Sequence, residues 1–560
     1  MDWFGGCAPG APPAVPAGAR LVWSDPPLWT VGNWDERLVR TVNGEQGARL
    51  AVFGACAATR SDLVRTLADS RLARSGGLWP GSYTVVRRDK AGDVEVFADA
   101  ASACPLYVAR TARGAVWGSS SLALSGLTGG KPDTEWLAAF LNDKQSPLPG
   151  RSAWAGVEPL GAGQRLRLST GGTSSVSPWW LPERRSYAAA VHLVAQALTE
   201  GVRAHVEGMA VSSDLAGVDS TTVTVLAADH GPVLAMTVHP DGVTEGGDMQ
   251  YARALTIPGL TRTAFPLQAE HLPFTTAPVG LPATDEPAPS SGVWAMLSAQ
   301  LRQAADAGAR VHLTGDGGDN LFIAPPAHLA DLARRGRLLR LSADALAWAQ
   351  LRRMSPWPLL AMALRRDVPR LARPWLARPA WLLADVPPAA AAAARVTNAD
   401  EVLITDVRGA ARSAYADVQL AAALGVKLTN PYFDQALLDA VVSVPSWERF
   451  AVHRYKPMLL DAIGYALPLQ HRARATKGTF AGDFHRGVRV NLPRLLSLAD
   501  GRLAELGLID PEPLRDALRR VALGVESVWP PILAALAAEM WLRAADATTP
   551  TAWTTLAVAR

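Results

Sequence analysis

The chain has 560 residues, of which 49% are hydrophobic and 19% are charged, a composition that predicts a large soluble enzyme of two or three domains. The formal net charge is only +4, which is too small to indicate a nucleic-acid partner. No uncharged apolar run reaches about 18 residues, so no membrane span is predicted. The first residues lack a secretory signal pattern, and Cys7, Cys56 and Cys104 lack metal-binding spacing, so we expect a cytoplasmic location.

The first third of the chain predicts a β-rich, layered domain. Short apolar segments at residues 81–86 and 94–98 are separated by turns, as in antiparallel sheets. A boundary is expected near Trp180, with one domain over residues 1–180 and a second over residues 181–560. A predicted helix over Tyr187–Val206 then precedes alternating strands and helices, which favours a parallel sheet with ligands at the carboxyl ends of its strands.

Residues 211–221 combine an apolar strand with a turn of small residues and hydroxyls. A helix beginning near Ser220 would direct its unpaired amides at a phosphate, and Gly217 permits a close backbone approach. Asp219 would repel phosphate unless a divalent cation lay between them, so it predicts magnesium. The alternative is an ordinary strand–turn–helix junction, with Ser220 as N-cap and Asp219 as a solvated acid. The expected ATP and pyrophosphate contacts are Leu215, Ala216, Gly217, Val218, Asp219, Ser220 and Thr221.

Residues 311–319 repeat the plan of strand, glycine turn and carboxylate. The turn contains no lysine to neutralise its acids, so Asp319 is predicted to share a magnesium ion with Asp219. Asp316 is a second acid in the same turn, and a second magnesium ligand is one role open to it. The expected phosphate neighbours in this turn are Gly315, Gly317 and Gly318.

Adenine recognition is expected from the strand at residues 233–238. The backbone groups of this strand, at Met236 and Thr237, are the predicted contacts of the base. Asp248 follows a glycine turn after the strand and is a further acid near the expected site.

The stretch from Arg334 to Arg378 contains eleven arginines. One interpretation is a helical subdomain with a solvated arginine face and a tryptophan-bearing core face. The other is a docking surface for an acidic peptide or partner protein, because arginine and tryptophan are favoured at interfaces. The tryptophans in and just after the stretch are Trp348, Trp357, Trp375 and Trp381.

The two loops resemble those of the asparagine-synthetase-like, amide-forming ATP pyrophosphatases, and residues 215–221 are most similar to the shortened loop of lasso peptide cyclases. This resemblance implies an α/β fold class, with a parallel-sheet synthetase domain of the adenine-nucleotide α-hydrolase type and helical additions. Residues 472–480 are similar to a family loop that carries the catalytic lysine, which implies this role for Lys477. Its ammonium would stabilise charge on the α-phosphate and on the later oxyanion. Arg474 is a second candidate catalytic cation, and Lys456 is expected to be structural or to contact phosphate. Asp316 stands where relatives carry glutamate or tyrosine, which implies a general base for the attacking amine, and its other role as a magnesium ligand stays open.

Residues 78–83 and 98–107 resemble the glutamine-amidotransferase domain of the same family, which has the N-terminal-nucleophile (Ntn) fold. A glutaminase of this type needs cysteine directly after the initiator methionine, whereas this chain has Asp2. Cys7 would serve only after an unusual cleavage. The domain is therefore expected to be inactive and structural.

Without glutamine as the ammonia source, an enzyme of this family would join an activated carboxylate to an amine already on its substrate. The resemblance to lasso cyclases implies ATP-dependent macrolactam formation on a precursor core peptide, with ATP and Mg2+ as cofactors. The expected partners are that peptide, a leader peptidase and a leader-peptide recognition protein. The alternatives are a β-lactam synthetase or an ammonia-dependent enzyme acting on a small molecule, and a nucleotide-binding scaffold without activity.

Overall fold

The computed structural model describes residues 2–10, 14–69, 79–112, 114–145, 148–243, 246–276, 280–373, 377–385, 396–474, 480–525 and 529–555. The predictions made for Lys477 and Trp375 fall outside these residues. Among the described helices, none is long and apolar enough to cross a membrane.

The first part of the chain forms two antiparallel sheets that face each other. Its strands are β1 (Trp3–Cys7), β2 (Ala14–Pro16), β3 (Arg20–Ser24), β4 (Pro27–Val31), β5 (Val39–Asn43), β6 (Arg49–Gly54), β7 (Tyr83–Arg88), β8 (Val94–Phe97), β9 (Leu106–Thr111), β10 (Gly114–Gly118), β11 (Val157–Leu160), β12 (Gln164–Leu168) and β13 (Ser174–Pro178). The sheet orders are β11-β9-β10-β1-β4-β3 and β13-β12-β8-β7-β6-β5. Phe4 of β1 stacks on Phe53 of β6 with ring centroids 4.2 Å apart, so apolar faces of both sheets share one core. The predicted β-rich, layered character is confirmed.

A five-stranded parallel sheet forms the second part, as the alternation of strands and helices predicts. Its strands are β14 (Val211–Asp214), β15 (Val233–Pro240), β16 (Leu260–Leu267), β17 (Val311–Leu313) and β18 (Lys427–Thr429). Their order is β16-β15-β14-β17-β18, and all neighbours run parallel. The chain proceeds outward from β14 to β16 and then returns to β17 on the other side of β14. Ligands bind at such a switch point, beyond the carboxyl ends of the strands.

Helices cover the sheets and extend the second part. They are α1 (Arg60–Ala68), α2 (Ser121–Ser125), α3 (Thr134–Asn142), α4 (Tyr187–Val206), α5 (Val218–Ala228), α6 (Gly247–Ala254), α7 (Trp294–Asp306), α8 (Gly318–Phe322), α9 (His328–Arg334), α10 (Leu338–Arg352), α11 (Pro356–Leu364), α12 (Val368–Ala372), α13 (Ala399–Ala422), α14 (Gln435–Val442), α15 (Ser446–Arg449), α16 (Pro457–Ile463), α17 (Leu469–Arg472), α18 (Ala481–Ala499), α19 (Arg502–Glu505), α20 (Pro511–Ala522) and α21 (Trp529–Asp546). Helices α9 to α12 lie between β17 and β18 in the chain and share a small apolar core of their own.

The end of the chain packs back onto the first part. Trp541 of α21 lies against Trp154, with ring centroids 5.2 Å apart. A final strand, β19 (Trp553–Thr555), pairs antiparallel with β2. Residues from both ends of the chain therefore share one large core, which joins the first part firmly to the second.

Candidate functional site

The two predicted loops lie side by side because β14 and β17 are neighbouring parallel strands. A Cβ added to Gly318 would lie 2.4 Å from the Asp219 carboxylate, and one added to Gly315 would lie 2.7 Å from the Ser220 amide. Gly317 has φ +95°, and a Cβ there would clash with Phe433. These glycines are therefore needed for the two loops to contact each other and for the second loop to contact the turn Pro431–Phe433. This requirement is independent of any contact that the glycines make with phosphate.

Lys456 joins the two loops electrostatically. Its Nζ forms ion pairs with Asp219 Oδ2 and, at 2.6 Å, with Asp319 Oδ1. The Lys456 side chain is fully buried, and the Asp319 side chain is 44% exposed, so the cluster reaches from the interior to the edge of the crevice. The second loop contains no lysine of its own, but the fold supplies one from a distant part of the chain.

The backbone at Lys456 is held in an unusual conformation. Its φ of 45° and ψ of 55° lie in the left-handed region, which costs a residue other than glycine about 1–3 kcal/mol. Pro457 follows directly as the first residue of α16. The helix start thus fixes the point from which the Lys456 side chain enters the site.

The structure brings Asp219 and Asp319 together on Lys456, and the two carboxylates can be compared with what magnesium needs. Magnesium is usually held by one or two carboxylates together with substrate phosphates. Lys456 shows that a positive charge is stabilised between these two acids, so the donor chemistry fits the ion. In the described part of the chain, no cluster of three or more His, Cys, Asp or Glu side chains offers a site made by protein alone.

The first loop differs from its prediction in where its helix begins. Helix α5 starts at Val218, with Gly217 rather than Ser220 at the N-cap. Ser220 lies inside the first turn, where its Oγ accepts a hydrogen bond from the Ala216 amide at 3.1 Å. Asp219 is only 3% exposed, so the alternative of a solvated turn acid is wrong. Because Gly217 has no side chain to cap the helix, the first-turn amides are directed at the crevice.

Several predicted phosphate contacts are buried in this conformation. Leu215 and Val218 are 1% and 2% exposed, and Thr221 is completely buried. The Thr221 hydroxyl therefore lies inside the protein and not on the surface of the loop. Only backbone groups remain to contact a ligand at these positions.

The first loop is tied to the neighbouring strand β15. The Leu215 amide donates to the Met236 carbonyl at 2.8 Å, and the Thr237 hydroxyl donates to the Leu215 carbonyl at 2.7 Å. Met236 and Thr237 thus lie beside the loop, where adenine was expected. The Met236 carbonyl and the Thr237 hydroxyl are already used in shaping the loop.

Arg474 holds the other side of the first loop. Its Nη1 donates to the Ala216 carbonyl at 2.6 Å, its Nη2 forms an ion pair with Asp248, and its guanidinium lies 4.2 Å from the centre of the Tyr251 ring. With its side chain 3% exposed, Arg474 links this loop to α6 just before residues 475–479. The predicted catalytic role of Arg474 would have to combine with this anchoring.

Asp316 occupies the exposed tip of the second loop. Its amide donates to the Thr314 hydroxyl at 3.1 Å, and that hydroxyl donates to Asn430 Oδ1 at 2.6 Å. The backbone is therefore fixed at a position where the residue is exposed. This placement is compatible with either predicted role, base or magnesium ligand.

A second cleft lies between the two parts of the molecule. This cavity of about 760 Å³ is lined by Asp2, Asn33 and Cys104 from the first part and by Lys427 and Asn430 from the second. Asp2 Oδ1 accepts a hydrogen bond from the Asn33 amide at 2.8 Å, so a carboxylate stands near the start of the chain.

Cys7 is no substitute for a nucleophile in this cleft. It is buried, and burial raises the pKa of its thiol to about 11. Its Sγ donates to the Ala14 carbonyl, away from the residues that line the cavity. A thiol with this pKa is almost wholly protonated near neutral pH and is therefore a poor nucleophile.

A family model for asparagine synthase matches residues 193–543, well over half of the chain. The chain belongs to the asparagine synthase family. It is accordingly an ATP-dependent carbon–nitrogen ligase of the AMP-forming class, and the loops of β14 and β17 lie within the matched residues. The carboxylates of the two loops and the buried lysine therefore lie in the ligase region of an asparagine synthase family member.

Other comparisons add little detail. No curated protein matches the chain. Among solved structures, a glutamine phosphoribosylpyrophosphate amidotransferase from B. subtilis, complexed with ADP and GMP, is similar over 59% of this chain and 83% of its own, at 10% identity and a TM-score of 0.21. That similarity is too weak for the two sites to be compared.

The sequence alone does not decide the role of Lys456. Resemblance to the family points to the segment around Lys456, but the spacing of residues along the chain does not reveal that the lysine side chain reaches both Asp219 and Asp319. Its partner Asp219 lies 237 residues earlier in the chain. The signal available was a lone lysine before proline at the start of a helix, which is compatible with many structural roles.

Proposed function

We propose that this ligase forms the macrolactam ring of a lasso peptide. It would adenylate an Asp or Glu side-chain carboxylate of a precursor core peptide, with release of pyrophosphate. The N-terminal amine of the same peptide then attacks the acyl carbon, AMP leaves, and an isopeptide bond closes the ring. In this second step the amine loses one proton to a general base, and Asp316 is the candidate for that base.

The observation that carries this proposal is the difference between the two clefts. One cleft brings Asp219, Lys456 and Asp319 together, a charge arrangement suited to Mg-ATP. In the other, Asp2 accepts a backbone hydrogen bond, and the Cys7 thiol is buried with its pKa raised to about 11. A carbon–nitrogen ligase without a glutaminase must obtain its amine elsewhere, and a peptide that carries both amine and carboxylate supplies it.

Each side chain would act by binding or by stabilising charge. Asp219 and Asp319 would hold magnesium, which supplies charge neutralisation on the ATP phosphates when bound. Lys456 would orient the two carboxylates, and the first-turn amides of α5 would contact pyrophosphate oxygens. Lys477 is proposed to stabilise charge on the α-phosphate and on the oxyanion of the closing step.

The test uses the full chain with precursor peptide, partner peptidase and Mg-ATP. We expect a product lighter than the core peptide by one water, with AMP and pyrophosphate formed in equal amounts. An N-acetylated core peptide should still support peptide-dependent ATP–pyrophosphate exchange but should not cyclise, which separates adenylation from ring closure. Exchange driven by free amino acids without any peptide would instead support a small-molecule ligase, and no ATP turnover would support a scaffold.

A further inference from the structure

The outward face of helices α10 and α11 is unusually apolar for a surface. Leu339 is 92% exposed, Trp357 74%, Leu364 61% and Leu346 50%. Large exposed side chains of this kind, when grouped, mark sites of association. We call these four residues the α10–α11 ridge.

The ridge has a regular geometry. Leu339 and Leu346 lie seven residues apart on α10, and Trp357 and Leu364 lie seven residues apart on α11. Seven residues are nearly two helical turns, so each pair projects from one side of its helix. The opposite sides are buried in the small core that α10 and α11 share with α9. The helices contact each other and α9, so their outward faces form one surface with two apolar rows.

The charge around the ridge is strongly positive. Residues 334–373 contain ten arginines and two aspartates, a net charge of +8 in a chain whose total is +4. Four of these arginines are paired with carboxylates inside or outside the segment: Arg334 with Asp331, Arg340 with Asp344, Arg370 with Asp367, and Arg373 with Asp143 and Asp406. Arg353 and Arg365 are exposed at the ends of the two helices, close in sequence to the ridge.

The supporting helices are firmly held. Arg340 donates to the Trp447 carbonyl at 2.6 Å, and the Arg335 guanidinium lies 3.3 Å from the centre of the Trp447 ring. Part of the arginine content therefore anchors the subdomain, as one interpretation of the sequence expected. These anchors attach it to the segment that leads to Lys456, so the surface is preformed and lies on the same framework as the candidate site.

We propose that the α10–α11 ridge docks an acidic amphipathic helix of a partner polypeptide. Two apolar rows with a spacing of nearly two helical turns can pack against the apolar face of a third helix, and the exposed arginines at the ends of α10 and α11 match carboxylates on that helix. A regular pair of rows along rigid helices favours this occupant over an anionic lipid surface. The inference does not depend on which peptide or small molecule the ligase modifies.

The test measures binding of a defined probe to the full chain. The probe is a fluorescent synthetic helix of about 20 residues, or some 30 Å, with leucine on one face and glutamate on the others. The same design with arginine for glutamate controls for charge, and phosphatidylglycerol vesicles test the lipid alternative. We expect the acidic helix to bind, and its affinity to fall as salt concentration rises.

Substitutions locate the binding. Leu339→Ser with Trp357→Ser should weaken binding at least about tenfold, and Arg353→Glu with Arg365→Glu should do the same. Leu523→Ser is the matched control, since Leu523 is 81% exposed outside the ridge. Thermal unfolding of each variant checks that it is folded. Absence of binding, equal binding by all variants, or preference for the arginine helix or the vesicles would overturn the proposal.

Discussion

The two clefts of the molecule differ in how their charges are arranged. At the ends of β14 and β17, a buried lysine pairs with two carboxylates from adjacent loops. In the cavity between the two parts, Lys427 lies in surroundings that lower its pKa by desolvation, and Asp2 accepts a backbone hydrogen bond. The charges of the first arrangement suit phosphate and a cation, whereas in the second, desolvation holds the pKa of the Cys104 thiol well above its usual value.

Helix α13 lines the cavity and also carries a carboxylate that interacts electrostatically with the second loop. Tyr415 and Gln419 of this helix line the cavity. Asp417, on the same helix, is electrostatically coupled to Asp316 of the second loop. The comparison therefore predicts that substitutions near Lys456 will affect catalysis most. Substitutions on α13 will change how stability depends on pH, and those at Asp2 will have little effect on either property.

Lys456→Met should have the largest effect. It removes the charge between Asp219 and Asp319, so ATP–pyrophosphate exchange should fall by about 100- to 1,000-fold. An uncompensated buried carboxylate should also lower the free energy of unfolding by about 3–5 kcal/mol. The double variant Lys456→Met with Asp219→Asn should regain much of that stability but no activity. Normal exchange in folded Lys456→Met would remove the lysine from the mechanism.

Gly318→Ala should have the next largest effect. The new Cβ would lie 2.4 Å from the Asp219 carboxylate, so the loops must separate. A displacement of about 1 Å in a catalytic group costs about 100-fold in rate, and we expect a loss of roughly that size, together with a lower Tm because overpacking costs about 1–3 kcal/mol. Gly482→Ala is the matched control, because a Cβ there meets nothing within 4 Å. Equal activity of both variants would mean that the loop contact is not required.

Some of this site follows from local sequence, and some depends on the tertiary fold. Strand–turn patterns and the family resemblance place Asp219 and Asp319 at the same sheet edge, because neighbouring parallel strands end together. The helix start was misplaced at Ser220, since capping preference favours serine although Gly217 holds the position. The pairing of Lys456 with Asp219 across 237 residues and the packing of Trp541 on Trp154 have no local signature.

Asp417→Asn tests the contribution of α13 to the pH dependence of stability. Burial raises the pKa of Asp417 from 3.8 to about 7, and the Ser290 amide and Lys144 only partly oppose this. Between these values the unfolded chain loses a proton that the folded chain keeps, so wild-type stability falls as pH rises from about 4 to about 7. Asparagine retains an oxygen for the Ser290 amide, which donates to Asp417 Oδ1 at 3.0 Å.

The measurement is thermal unfolding of both proteins at several pH values. The variant should gain a few degrees in Tm relative to wild type as pH rises through this window, and the difference should stay constant at higher pH. Asp241→Asn, at an exposed aspartate, should give no such pH-dependent difference. A constant difference between Asp417→Asn and wild type from pH 4 to pH 8 would show that Asp417 is ionised in the fold.

Asp2→Ala should have the smallest effect. Asp2 is exposed, and losing its hydrogen bond with the Asn33 amide should cost no more than about 1 kcal/mol. If the cavity takes no part in amine supply, the rate of AMP formation by Asp2→Ala should remain within about twofold of the wild-type rate. Losing one catalytic hydrogen bond would instead lower that rate tenfold or more. Added glutamine should yield no glutamate with either protein. A large loss of ligation in Asp2→Ala, or glutamine hydrolysis by wild type, would mean that the cavity between the two parts performs chemistry of its own. The separation of roles between the two clefts would then be wrong.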